Sequence, residues 1–185
     1  MKLIRMGMAL AAVMLLSACG SGEGETAPSG TVATAQQSQS VGSMTGTIDG
    51  KEVALNVLGP QSDYGNTHIS LYVLGEGLRA RGLGSLMLGA EMLGAEWTGE
   101  HDGNVFSADV TIAIPETKPV RVYYGSLEDG LSLTITNSSL DGEALKVSGQ
   151  VKGTLIAMDL AGSRNPDPGD TLDVDLSFDA ALDKL

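Results

Sequence analysis

The chain has 185 residues, 23 acidic against 11 basic side chains, a formal net charge of −12 at pH 7 and a single cysteine. A field of that sign repels polyanions, which argues against nucleic acid as a partner and against electrostatic adhesion to anionic lipid. One thiol makes no internal disulfide, and cysteine-rich metal sites are excluded by counting.

Lys2 and Arg5 form a basic start, Met6 to Leu16 a run of apolar and small residues, and Ser17-Ala18 the small residues that precede a signal-peptidase cut. The run falls short of the roughly 18 to 20 apolar residues that a spanning helix needs. Leu16-Ser17-Ala18-Cys19 resembles the lipobox of bacterial lipoproteins, a likeness that covers residues 1 to about 21. It implies that residues 1–18 are a signal peptide and that Cys19 becomes a lipidated N-terminus, with a diacylglycerol on sulfur and a palmitate-type chain on nitrogen. Burial of acyl chains, at about 0.8 kcal/mol per methylene, then ties the protein to a membrane of the bacterial cell envelope. Gly20 stands where many inner-membrane lipoproteins carry Asp, which resembles the outer-membrane pattern.

Residues 19–43 are rich in Gly, Ser, Thr, Ala and Gln and hold almost no large apolar side chain, so they read as a flexible linker. A coil of that length reaches roughly 25 to 30 Å. Residues 44–185 are the right length for one domain with a real core.

Period-2 alternation dominates that domain. Asp49-Gly50 between Thr47-Ile48 and Val53-Leu55-Val57 predicts a type I′ hairpin, whose two central residues both need positive φ. Ile69, Leu71 and Val73 alternate with polar neighbours, as do Phe106, Ala108, Val110, Ile112 and Ile114 after an Asp102-Gly103-Asn104 turn. Val120, Val122 and Tyr124 follow Pro119 as a short strand. Beyond the Glu128-Asp129-Gly130 turn, Leu131, Leu133 and Ile135 alternate, and Asp141-Gly142 turns the chain again. Leu145, Val147, Gly149, Val151, Gly153 and Leu155 share one face of a long strand, where the two glycines mark a bend or a close backbone approach. A loop from Gly162 to Gly169, with Pro166 and Pro168, leads to a last strand whose inner face is Leu172, Val174, Leu176 and Phe178.

This pattern predicts an all-β fold, an antiparallel β-sandwich of about eight or nine strands, with a β-barrel as the alternative. One segment resists it. Met87-Leu88-Gly89-Ala90-Glu91 repeats at once as Met92-Leu93-Gly94-Ala95-Glu96, and an odd period reverses the faces of a continuous strand. The expectation there is strand, bend, strand; the glycines count against a short helix.

Candidate chemistry is sparse. Asp173, Asp175, Ser177 and Asp179 share one face of the last strand, with Asp167 and Asp170 before it; carboxylates so spaced are calcium candidates, or simply a solvated charged face that discourages edge pairing. Gly75-Glu76-Gly77-Leu78-Arg79-Ala80 matches the permissive dinucleotide pattern, but no strand-helix-strand rhythm surrounds it. Arg79 and Arg81 there are a cationic spot on an acidic chain, suited to a carboxylate or phosphate of a partner or to a nearby surface acid. His68 and His101 have no metal-binding spacing, and no Gly-x-Ser-x-Gly elbow or His-Glu-x-x-His pair is present. Trp97, Tyr64, Tyr72, Tyr123 and Tyr124 would offer a sugar platform only if several shared one exposed face.

The sequence therefore reads as a membrane-anchored envelope lipoprotein acting as a binding or structural interaction module, with no enzymatic activity expected. Its partners are the membrane, through the anchor, and an envelope protein or glycan. The alternative is a carrier or chaperone for apolar cargo in a barrel-like lumen. No cofactor is expected beyond the lipid on Cys19 and the candidate calcium.

Overall fold

The computed structural model describes residues 40–92, 105–117, 120–160 and 165–185, all within one compact unit, Val32–Leu185. The lipobox with Cys19, Trp97, His101, the second copy of the tandem repeat beyond Met92 and the Asp102-Gly103-Asn104 turn lie outside the described residues.

Among the described residues the elements run β1 (Ser40–Ile48), β2 (Lys51–Leu58), β3 (Asp63–Tyr64), β4 (His68–Leu74), α1 (Glu76–Arg79), β5 (Leu86–Met92), β6 (Val105–Ile114), β7 (Arg121–Ser126), β8 (Ser132–Asp141), β9 (Ala144–Asp159) and β10 (Asn165–Lys184). The all-β expectation holds. All ten strands belong to one sheet, antiparallel except where β3 meets β10 over two residues. Followed from neighbour to neighbour, β1, β2, β4, β5, β6, β7, β9 and β10 lead back to β1, so the sheet is ring-like. β8 runs beside the first part of β9, and β7 takes the same edge over Ile156 to Asp159.

The alternation of β9 and β10 decides which side is inside. Leu145, Val147, Val151 and Leu155 meet Leu172, Val174, Leu176, Phe178 and Leu182 in one cluster with Met44, Ile48, Ile69, Leu71, Leu88, Val110 and Ile112 from the other walls. Each such side chain, once fully buried, contributes about 1.5 to 3 kcal/mol. At Gly149 the neighbouring strands leave no room for a side chain: a Cβ there would lie 2.5 Å from Phe178 Cζ and 2.6 Å from the Thr134 carbonyl oxygen. The largest inward ring of β10 fits because that Cβ is missing.

Turn chemistry closes the hairpins. Asp49 and Gly50 have φ of 48° and 67°, the pair of positive values a type I′ turn requires. The β8–β9 turn falls one residue later than the sequence implies, on Gly142 and Glu143, with Asp141 opposite Ala144.

Two expectations shift. Phe106 is 62% exposed instead of inward, because the β5–β6 register slips between Glu91 and Met92 and leaves it as the extra residue of a bulge. β10 starts at Asn165, inside the expected loop: Asn165, Pro166 and Asp167 already pair with β9, and the register resumes at Thr171, so Pro168 to Asp170 bulge out. A bulge is one of the few places in a sheet that accepts proline. The first copy of the tandem repeat is strand throughout, within β5.

Candidate functional site

The expected aspartate face is present, and β9 supplies hydrogen-bond donors to it and one ammonium, Lys152. Thr154 Oγ1 donates to Asp173 Oδ1 at 2.6 Å, and Ser148 Oγ donates to Asp179 Oδ2 at 2.6 Å. Asp175 accepts from Gln150 Nε2 and from Lys152 Nζ, both at 2.9 Å. Thr154, Lys152 and Ser148 stand directly opposite these aspartates in the β9–β10 register, while Gln150, opposite Ser177, reaches Asp175 diagonally. The Lys152 ammonium, with help from Gln150, holds the Asp175 carboxyl below the usual carboxylate range, and Asp175 raises Lys152 in return. A cavity of about 310 Å³ lies here, lined by Thr47, Gly50, Lys152, Gly153, Thr154, Asp173, Val174 and Asp175. Among the described residues no three His, Cys, Asp or Glu side chains come together as a metal site.

The two arginines go to internal acids. Arg79 reaches Glu76 at 3.2 Å one turn back on α1, and both are well exposed. Arg81 is only 14% exposed and reaches Asp49 Oδ2 at 3.1 Å, while Asp49 Oδ1 accepts the Asp173 backbone N–H at 2.9 Å. The dinucleotide-like run forms only the four-residue α1, with Leu78 buried. His68 Nε2 lies 3.6 Å from Asp63 Oδ1.

At the rim where β7 and β10 begin, Arg121 lies 3.0 Å from Asp159, 3.5 Å from Asp167 and 3.6 Å from Asp170. Tyr123 donates its hydroxyl to Asp170 Oδ1 at 2.8 Å. Burial first, then that hydrogen bond and the Asp170 charge, push the Tyr123 phenol up. Tyr64 is buried and donates to the Glu143 carbonyl. Tyr64 and Tyr123 thus sit in separate environments.

What the sequence did not single out is an apolar stretch of outer wall. Tyr123 pairs with Ile112 and Ala157, both fully buried, so Tyr123 faces in and Val122 and Tyr124 face out. On that outer side one cross-strand row reads Tyr72, Met87, Thr111, Tyr124, Ile156, and the next reads Ala113, Val122, Met158. The Leu160 N–H donates to the Val120 carbonyl at 2.9 Å and extends the ladder one step further. Val120 is 58% exposed, and Leu160 and Met87 are each 47% exposed. A groove of about 330 Å³ opens in this wall, lined by Asp109, Thr111, Val122, Tyr124, Met158 and Leu160. Gly89 makes room for its acid, since a Cβ there would sit 3.2 Å from Asp109 Oδ1.

The signal was available in β9. Its outward positions read Lys146, Ser148, Gln150, Lys152, Thr154 and then Ile156, Met158, so polar residues cease while the inward face stays apolar. A strand apolar on both faces is covered on both faces or offers one for binding.

No protein-family model, curated protein or solved structure matches the chain.

Proposed function

We propose that this chain is a lipid-anchored binding module of the bacterial cell envelope, held at the outer membrane through acyl groups on Cys19 and binding through the apolar outer wall of β5, β6, β7 and β9. The single observation that carries the binding part is the outward pairing of Val122 with Met158 and of Tyr124 with Ile156, in which Val122, Tyr124 and Met158 line a groove with side chains a ring of this kind would otherwise place inside. Groove size, about 330 Å³, sits at the lower end of the range for small-molecule sites. Four strands spaced by about 4.8 Å, and two to four residues of height, give a patch on the order of 130 to 260 Å². A standard protein–protein interface takes about 800 Å² from each partner, so a small apolar ligand fits better than a second protein.

The carrier alternative needs an open lumen. Inward side chains from every wall already form one buried cluster, which favours the outer groove.

Two measurements test the reading. Cys19→Ser should abolish labelling by radioactive palmitate, and a labelled mutant would overturn the anchor. Titration of residues 20–185 with a neutral apolar dye such as Nile red should saturate, and Leu160→Ser with Met158→Gln should remove the saturable phase. An unchanged phase in that double variant would overturn the assignment of the groove.

A further inference from the structure

We infer that the groove selects a small organic cation with an apolar body, such as an alkyl quaternary ammonium; this deepens the binding reading above and rests on it. The lining combines one carboxylate, Asp109, with the ring of Tyr124, the thioether of Met158 and the aliphatic side chains of Val122 and Leu160. Such a set offers negative charge and contact area to one ligand at once. A cation against a tyrosine face gains attraction from the ring quadrupole in addition to apolar contact.

The surrounding charges point the same way. At the neighbouring rim, among the described residues, the single guanidinium of Arg121 is shared by three carboxylates, Asp159, Asp167 and Asp170. The whole chain carries −12. An anionic amphiphile would have to approach against that field, whereas a cationic one is drawn along it.

The absence of a donor on a quaternary ammonium suits this site. Asp109 and Tyr124 each already make a further interaction within the chain, so a ligand that supplies charge without demanding a new hydrogen bond disturbs neither. Gly89 keeps the Asp109 carboxylate at the wall without crowding it.

The experiment is a calorimetric or NMR titration of residues 20–185, which contain every described contact, with three probes of equal chain length below their micelle concentrations: hexyltrimethylammonium, hexanol and hexyl sulfate. At low salt the cation should bind at least tenfold more tightly than hexanol, and hexyl sulfate should bind more weakly than either. Added salt should erode the cation's advantage and leave hexanol unchanged. Asp109→Asn should bring cation and alcohol together, Tyr124→Leu should weaken the cation selectively, and Leu160→Ser should weaken both. If hexanol binds as tightly as the cation in the native chain, the cation class is overturned while the binding reading stands. If no probe saturates, the binding reading itself falls. The salt dependence of the native chain decides the matter even where Asp109→Asn fails to fold.

Discussion

Arg81 Nη2 stands 3.1 Å from Asp49 Oδ2 and so joins the connection after α1 to the β1–β2 turn, 32 residues away in sequence. Asp49 also takes the Asp173 backbone N–H on its other oxygen and donates its own N–H to the Asp173 carbonyl. One turn residue therefore links three segments of one rim. Among the described residues, two further guanidinium nitrogens of Arg81, Nε and Nη1, are buried without a hydrogen-bond partner, so the bond to Asp49 is the main compensation for the charge there. Asp49→Ala removes that compensation and places alanine at φ 48°. We expect a loss of about 1 to 3 kcal/mol in urea unfolding, since the acid itself is part-exposed. Asp49→Asn keeps the turn geometry and one acceptor, and should lose about 1 kcal/mol.

Gly149→Ala should destabilise through contact with Phe178 and with the Thr134 carbonyl, by about 1 to 3 kcal/mol. Adding Phe178→Leu should recover part of the loss and not all of it, because the backbone carbonyl cannot retreat. A double-mutant cycle on thermal unfolding reads the coupling; full additivity of the two changes would show that ring and glycine do not meet.

The Lys152–Asp175 pair sets a sign for pH dependence. The folded Asp175 carboxyl titrates below its unfolded value, so its stabilising effect is present above the unfolded value and is lost as pH falls through the folded one. Lys152 is raised, so its part is complete below the unfolded lysine value and is lost as pH rises through the folded one. Carboxyl-carbon NMR should find Asp175 titrating below the usual aspartate range, and Lys152→Met should move it upward. A midpoint unchanged by that substitution would refute the pairing in solution.

Exposed and buried apolar residues should respond in opposite ways. Met87→Ser and Leu160→Ser, at half-exposed outer positions, should change stability by no more than about 0.5 kcal/mol. Leu155→Ala, at a fully buried inward position, should cost about 2 to 5 kcal/mol. Should Leu160→Ser unfold the chain, the outer wall would be structural rather than available for binding.

These contrasts also mark how far the sequence was readable. β9 and β10 were legible because ten and more consecutive positions alternate without interruption, and Asp49-Gly50 because few other pairs tolerate two positive φ values. Alternation fixes which residues share a face but not which face is inside. For Val120, Val122 and Tyr124 the answer came from tertiary pairing, with Tyr123 opposite buried Ile112 and Ala157. Phe106 and the Pro166–Pro168 stretch were missed for a related reason: a bulge inserts residues without changing local composition. At the candidate sites, the aspartates and arginines were visible as charges, but their partners on β9 and in the β1–β2 turn required the register.

The circle of strands closes between elements far apart in sequence. β10 is the element that β1, the first described strand, needs for its second neighbour. Until β10 docks, the circle stays open and β1 waits half-paired. Contacts spanning that much chain make for slow assembly, and an open circle offers its apolar interior to whatever chaperone or translocation machinery meets the nascent polypeptide first.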